Sequence, residues 1–212
     1  MHVEQLWRYR VKSLAGERLD EAAITPTGIP GDRAVYVTTG DGSRIVTART
    51  RPRLLGHKAT LGSDGIALID GAPWDAPESQ AAIEAAVGGA ARLIRTPDEP
   101  EFDVLPLLVA TDGAITAFGR DGRRLRPNIV VGRVEGVEER EWPGRELHIS
   151  DTVIGIQSRR SRCVMTTFDP DSLEQDADVL RDINRRFGGE IALDAWVKQP
   201  GHIRLGDEVR LV

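Results

Sequence analysis

Strand-length apolar runs, repeatedly cut short by turn residues, restrict this chain to a mainly β fold with short helices, an α+β arrangement. Residues 3–11 open the pattern, and residues 34–39, the Asp41-Gly42 pair and residues 44–48 read as a strand followed by a hairpin. Further strands are expected at 128–131, 147–157, 191–197 and 202–212. A helix is expected at 77–87, where Pro77 suits the first turn and Gly88-Gly89 ends it. A second is expected at 177–187, where Leu180, Ile183, Asn184 and Phe187 share helical spacing before Gly188-Gly189. Residues 112–118 are also helix-like. No fixed-period repeat or low-complexity tract occurs, which sets aside solenoids and linker proteins. The polar segment 92–101, with Pro97 and Pro100, precedes the apolar run VLPLLVA, so a domain boundary is expected near residue 100, giving units 1–100 and 101–212.

With 212 residues, 40% of them apolar, the chain has material for one substantial core or two smaller ones. Its formal charge of −5 argues against general nucleic-acid binding, which draws most of its non-specific affinity from Lys and Arg on phosphates. The lone Cys163 forms no internal disulfide and favours a reducing compartment, so a cytoplasmic location is expected. No run approaches the roughly 20 apolar residues of a spanning helix, and the start MHVEQLWRYRVKSL lacks secretory order, so no membrane role is expected.

Against this acidic average, arginines cluster in two places. Arg120, Arg123, Arg124 and Arg126 precede Pro127, and Arg159, Arg160 and Arg162 lead to Cys163. Guanidinium groups grip phosphates and carboxylates bidentately and keep their charge, so an anionic ligand fits; a solvated basic face is the plainer reading. Neighbouring cations stabilise a thiolate, the form of cysteine that ligates metals, attacks electrophiles or carries a persulfide. The plainer reading of Cys163 is a small buried hydrophobe.

One cysteine and four scattered histidines (His2, His57, His148, His202) supply no zinc-site spacing and no iron–sulfur ligation. Gly28-Ile29-Pro30-Gly31-Asp32-Arg33 lacks the dinucleotide and Walker patterns and reads as a turn presenting Asp32 and Arg33. No GxSxG elbow is present.

Several stretches, in order, resemble the MOSC family. Arg126-Pro127-Asn128-Ile129-Val130-Val131, then Ser161-Arg162-Cys163-Val164-Met165-Thr166-Thr167-Phe168-Asp169-Pro170-Asp171, then Pro200-Gly201-His202-Ile203-Arg204-Leu205-Gly206-Asp207 resemble the MOSC domain. The first half is similar to the β-barrel-like domain preceding MOSC in the mitochondrial amidoxime-reducing component and its bacterial relatives. The similarity there rests on Tyr9-Arg10-Val11-Lys12-Ser13, Gly31-Asp32-Arg33 and Thr47-Ala48-Arg49, with Arg10 replacing the usual proline.

The resemblance implies a β-barrel MOSC domain after a smaller β-rich domain, with a molybdenum–molybdopterin cofactor in the cleft between them. It implies Cys163 as metal ligand and catalytic residue, Ser161 and Arg162 beside it, and Lys12, Ser13, Arg33, Arg126 and Asn128 on pterin or phosphate. Thr111 adds a further implied contact. Residues 192–196 depart from the particular aromatic and small residues that the resemblance leads one to expect near the cofactor, leaving open whether Asp194 or Trp196 faces it.

The implied activity is an oxidoreductase that reduces N-hydroxylated or N-oxygenated small molecules. Without cluster cysteines or nucleotide motifs, it would take electrons from a separate ferredoxin- or flavin-reductase-like donor. The alternative from another class is a molybdenum-cofactor or sulfur carrier, with a persulfide on Cys163.

Overall fold

The computed structural model describes residues 1–63, 65–96 and 100–212. Pro97, one of the two prolines at the expected boundary, lies outside them. The expected α+β composition is what forms: many short strands with three α-helices, Pro77–Val87, Asp112–Phe118 and Asp178–Phe187.

The largest sheet has eight strands, in the order Val209–Leu211, Glu146–Ile149, Thr152–Ser161, Glu190–Gln199, Leu107–Thr111, Ile129–Gly132, His2–Arg8 and Glu17–Leu19. Leu107–Thr111 and Ile129–Gly132 run parallel, with the helix Asp112–Phe118 in the connection that a parallel pair requires. All five residues of Leu107–Thr111 are buried, which is why this stretch reads as an unbroken apolar run rather than an alternating one. The sheet curls until its C-terminal edge meets the N-terminus: Val3 N–H donates to Asp207 O at 2.9 Å, Gly206 N–H to Val3 O at 2.8 Å, and Val209 N–H to Met1 O at 3.1 Å. The expected barrel is therefore a curled sheet whose ends are joined by these hydrogen bonds and one isolated antiparallel bridge, His2 with Glu208, without a longer closing ladder among the described residues.

Inside this sheet lies a core built on Leu6, Ile24, Ile129, Leu147, Ile154 and Ile203. A second core gathers Val11, Leu14, Val37, Leu54, Ile83 and Phe168. Two small antiparallel sheets surround it, one of Ile45–Val46, Val35–Thr39 and Ala91–Arg95, the other of Ala59–Leu61, Ala67–Ile69 and Ala72–Pro73. The cores do not follow a single cut in the chain. Residues 3–29 supply five side chains to the first core, and Phe168 from the second half enters the other.

Two expected strands are each two strands. Residues 147–157 fold as a hairpin, Glu146–Ile149 against Thr152–Ser161, because Ser150 takes φ 52° and reverses the chain. Residues 202–212 break at Gly206, φ 86°, so that Gly201–Arg204 pairs with Glu21–Ile24 while Val209–Leu211 joins the large sheet. Strands as short as Glu17–Leu19 carry too few residues for alternation to show, and only their partners define them.

Candidate functional site

Eight of the nine residues expected at the cofactor site, Lys12, Ser13, Arg33, Arg126, Asn128, Ser161, Arg162 and Cys163, line one cavity of about 360 Å³. Backbone pairing brings their loops together. After the strand His2–Arg8, Asp32 Oδ1 accepts from Tyr9 N–H at 2.6 Å, Arg33 N–H donates to Tyr9 O at 2.7 Å, and Lys12 N–H donates to Val35 O at 2.8 Å. The Lys12-Ser13 loop therefore runs beside Asp32-Arg33. Ser13 Oγ accepts from Ala48 N–H at 3.0 Å, which ties in the Thr47-Ala48-Arg49 stretch.

Three of these lining residues hold left-handed backbone: Ser13 (φ 74°), Arg33 (φ 53°) and Arg126 (φ 57°). Non-glycine residues persist there only where the surroundings impose it, at a cost of about 1–3 kcal/mol each, so the local geometry is dictated by the assembled site.

Asn128, fully buried, joins three segments. Its Oδ1 accepts from Leu108 N–H at 3.1 Å, its Nδ2 donates to Trp7 O at 3.3 Å, and Arg33 approaches the same Oδ1 at 3.5 Å. Arg126 and Arg33 stack on the Tyr9 ring at 4.2 and 5.0 Å. Arg33 is also paired with Asp32. Arg162 donates to Leu125 O at 2.8 Å.

The cavity is strongly cationic in a chain of net negative charge. Lys12 and seven arginines line it against two carboxylates, Asp103 and Asp194. Burial pushes the Arg126 and Arg162 guanidinium groups down to about 10. Burial also pushes the Tyr9 hydroxyl up to about 12, against the pull of Arg126 and Arg33. Arg126 Nη2 and Arg162 Nε are buried with no hydrogen-bond partner. A buried guanidinium N–H without an acceptor is costly, so an anion entering the cavity would relieve a penalty already present in the fold.

Cys163, partly exposed, precedes the 3₁₀ turn Val164–Thr167. The Arg49 guanidinium donates to Asp103 Oδ2 at 2.7 Å and lines the cavity with Cys163. Among the described residues no three His, Cys, Asp or Glu side chains gather around a point. A metal at Cys163 would thus have one protein sulfur and no set of three such protein side chains to hold it. A phosphate-bearing cofactor with its own metal-binding atoms fits this donor set: guanidinium groups for the phosphate, one soft thiolate for the metal.

Thr111 is the exception to the expected site. It is wholly buried, outside the cavity lining, and its Oγ accepts from Ala114 N–H at 3.1 Å to cap the helix Asp112–Phe118. The same residue faces the buried Glu139 carboxylate, whose own proton affinity is raised by burial. The polar side chain that read as a ligand contact is thus spent on helix capping.

Of the two residues left open, Asp194 lines the cavity and Trp196 does not; Trp196 is 40% exposed and lies against Gly155. Arg10, at the position where the resemblance leads one to expect proline, is buried with its Nε on Glu17 at 2.9 Å. The arginine clusters divide: Arg124, Arg126, Arg159, Arg160 and Arg162 line the cavity, whereas Arg123 pairs with Asp121 and Asp171.

Asp103 also lines the cavity, although no motif in the sequence singles it out. Its carboxylate sits between Lys12 Nζ at 2.9 Å, Arg49 at 2.7 Å and Arg160 at 3.5 Å. Burial alone would raise its pKa, but the three cations outweigh that and lower it. Arg160 also reaches Asp194 at 2.8 Å, and there burial prevails and raises the carboxylate's pKa. The only signal in the sequence was an acid next to the linker, which no local pattern connects to Lys12.

Comparison with known proteins places this arrangement. The chain is 25% identical to human mitochondrial amidoxime-reducing component 1 over 281 aligned positions, covering 99% of this chain and 82% of that protein. A shorter stretch of 78 positions is 31% identical to the molybdenum cofactor sulfurase of Anopheles gambiae, covering 37% of this chain and 10% of that one. The fold is shared with the YuaD protein from Bacillus subtilis, with a TM-score of 0.54 at 13% identity over 99% of this chain and 94% of that one. Residues 1–92 match the MOSC N-terminal beta barrel domain and residues 116–210 match the MOSC domain. With both modules present in order, this chain belongs to the MOSC family.

Proposed function

We propose that the cavity holds a molybdenum–molybdopterin cofactor and that the protein is an oxidoreductase for N-hydroxylated or N-oxygenated small molecules. The observation that carries this reading is the convergence of buried guanidinium donors lacking acceptors, Arg126 Nη2 and Arg162 Nε, in the cavity that Cys163 lines. The name of the amidoxime-reducing relative, aligned over nearly the whole chain, supports the reaction class.

Cys163 would be the protein's ligand to the metal, and Lys12, Arg33, Arg126 and Arg162 would hold phosphate and pterin oxygens. Ser13, Asn128 and Ser161 would set orientation by hydrogen bonds. When bound, the cofactor supplies the two-electron chemistry that removes oxygen from nitrogen. The chain's own contribution is charge and position. Arg49, which donates to Asp103 Oδ2, places a further cation in the cavity that Cys163 lines.

One cysteine leaves no means of building an iron–sulfur centre within this sequence, so a separate ferredoxin- or flavin-reductase-like protein is the proposed electron source. No helix among the described residues is long and apolar enough to cross a membrane. A reducing, cytoplasmic setting is proposed on the free thiol.

Molybdenum content, measured by elemental mass spectrometry on protein from a cofactor-producing host, tests the reading against Cys163→Ala. Near-stoichiometric metal in the wild type, its loss in the variant and donor-dependent turnover of an amidoxime are the expected results. Metal-free wild type from a competent host would overturn the oxidoreductase. Single-cycle release of cofactor or sulfur without turnover would favour a carrier.

A further inference from the structure

A second cavity, of about 620 Å³, backs onto the first, with Arg124, Arg126 and Met165 in the lining of both. Its walls are chemically unlike those of the cysteine cavity. Trp7, Tyr9 and Phe168 give it an aromatic surface, and none of these three lines the other cavity. Gly16 also belongs to its wall: a Cβ there would stand 2.7 Å from the Tyr9 ring, so glycine is required for the loop to close down on the aromatic face.

Charge narrows the kind of occupant. Arg18 and Lys58 line the cavity as exposed cations, and no carboxylate pairs with either among the described residues. Arg18 lies over the Trp7 ring with its guanidinium carbon 5.7 Å from the centroid, so cation and ring address the same space. The sole lining carboxylate, Asp171, is neutralised by Arg123 at 2.6 Å. Deeper in the wall, the Arg124 side chain is only 8% exposed and its Nε has no hydrogen-bond partner, although its terminal nitrogens bond Thr166 O and Asp169. Ordinary solvated basic faces lack both the aromatic wall and the buried, unsatisfied guanidinium.

We infer that this second cavity is a binding site for a flat aromatic anion, with the ring beside Trp7 and the anionic group on Arg18 and Lys58. The ring gains apolar contact with Trp7, while the anion gains two cations that have no competing carboxylate among the described residues. A neutral ring would forgo the charge pairing, and a bare anion would forgo the ring contact. Shared wall residues place such an occupant against the guanidinium groups that face the cysteine cavity, although the inference does not depend on what that cavity holds.

Calorimetric titration of the full chain with 2-naphthoate tests it, with 2-naphthylmethanol and inorganic phosphate as the neutral-ring and bare-anion probes. Saturable 1:1 binding of naphthoate is expected, at least about tenfold tighter than either control. Arg18→Glu/Lys58→Glu, at exposed positions and checked for an unchanged circular dichroism spectrum, should weaken naphthoate at least about tenfold. Cys163→Ala should bind it as the wild type does, which separates this site from the cysteine cavity. Absence of saturable naphthoate binding to about 1 mM overturns the inference. So does equal binding by the charge-reversed variant, equal binding of phosphate alone, or loss in Cys163→Ala.

Discussion

Replacing Asn128 with alanine separates a structural duty from a ligand contact. In the fold the side chain is fully buried and closes two backbone groups, the N–H of Leu108 and the C=O of Trp7. Truncation leaves the buried Leu108 N–H with no acceptor, at about 1–3 kcal/mol, and removes the longer Trp7 bond, at about 1 kcal/mol. The sum, about 3 kcal/mol, is a large part of the 5–15 kcal/mol typical of a folded domain. For a domain of this size it lowers the thermal midpoint by about 9 °C.

Scanning calorimetry on cofactor-free protein measures this directly, because the argument involves no ligand. Asn128→Asp should lose less: it keeps an acceptor for Leu108 N–H, and its new charge faces Arg33. A midpoint for Asn128→Ala within about 2 °C of wild type would refute the stapling argument. If molybdenum retention fell all the same, Asn128 would be a ligand contact alone.

The other expectations concern groups whose burial is unequal to their chemistry. Tyr9 should keep its proton through the range where an exposed tyrosine ionises, losing it only near pH 12. Its folded pKa lies above the unfolded value of 10.0, so its contribution to stability is complete below pH 10 and lost as pH rises through 12. Ultraviolet titration of Tyr9→Phe should therefore lack only the late phase, and a lost phase near pH 10 would contradict this. Thr111→Ala should lower stability by about 1 kcal/mol through the lost helix cap while leaving molybdenum content unchanged; loss of metal from a folded variant would restore Thr111 to the site. Arg126→Ala removes a buried cation with an unpaired nitrogen, so cofactor-free protein should melt no lower than wild type while metal content falls. A fall in melting temperature without loss of metal would reverse that assignment. Gly113→Ala should impair folding, since a Cβ there would overlap the backbone oxygens of Val134 and Gly136; normal yield and melting would show that the loop can yield.

The sequence by itself determined the features carried by local chemistry. Alternation and turn residues specified a β-rich chain, and Pro77 with Gly88, or Phe187 with Gly188, marked helix ends that depend on nearby backbone alone. The short motifs around Lys12, Arg33, Arg126 and Cys163 were legible because their chemistry resides in consecutive residues. Only the tertiary structure decided which side chains meet. Arg126 faces the cavity and stacks on Tyr9, while Arg123, three residues away, turns to Asp121 and Asp171. Asp103 became part of the site because Lys12, Arg49 and Arg160 arrive from distant segments, and Thr111 left it because a helix begins at Asp112. The strand His2–Arg8 belongs to the large sheet because Ile129–Gly132 offers it a ladder more than a hundred residues away. Strand partners and the direction of a side chain are set by such long-range pairings, which leave no trace in local propensity.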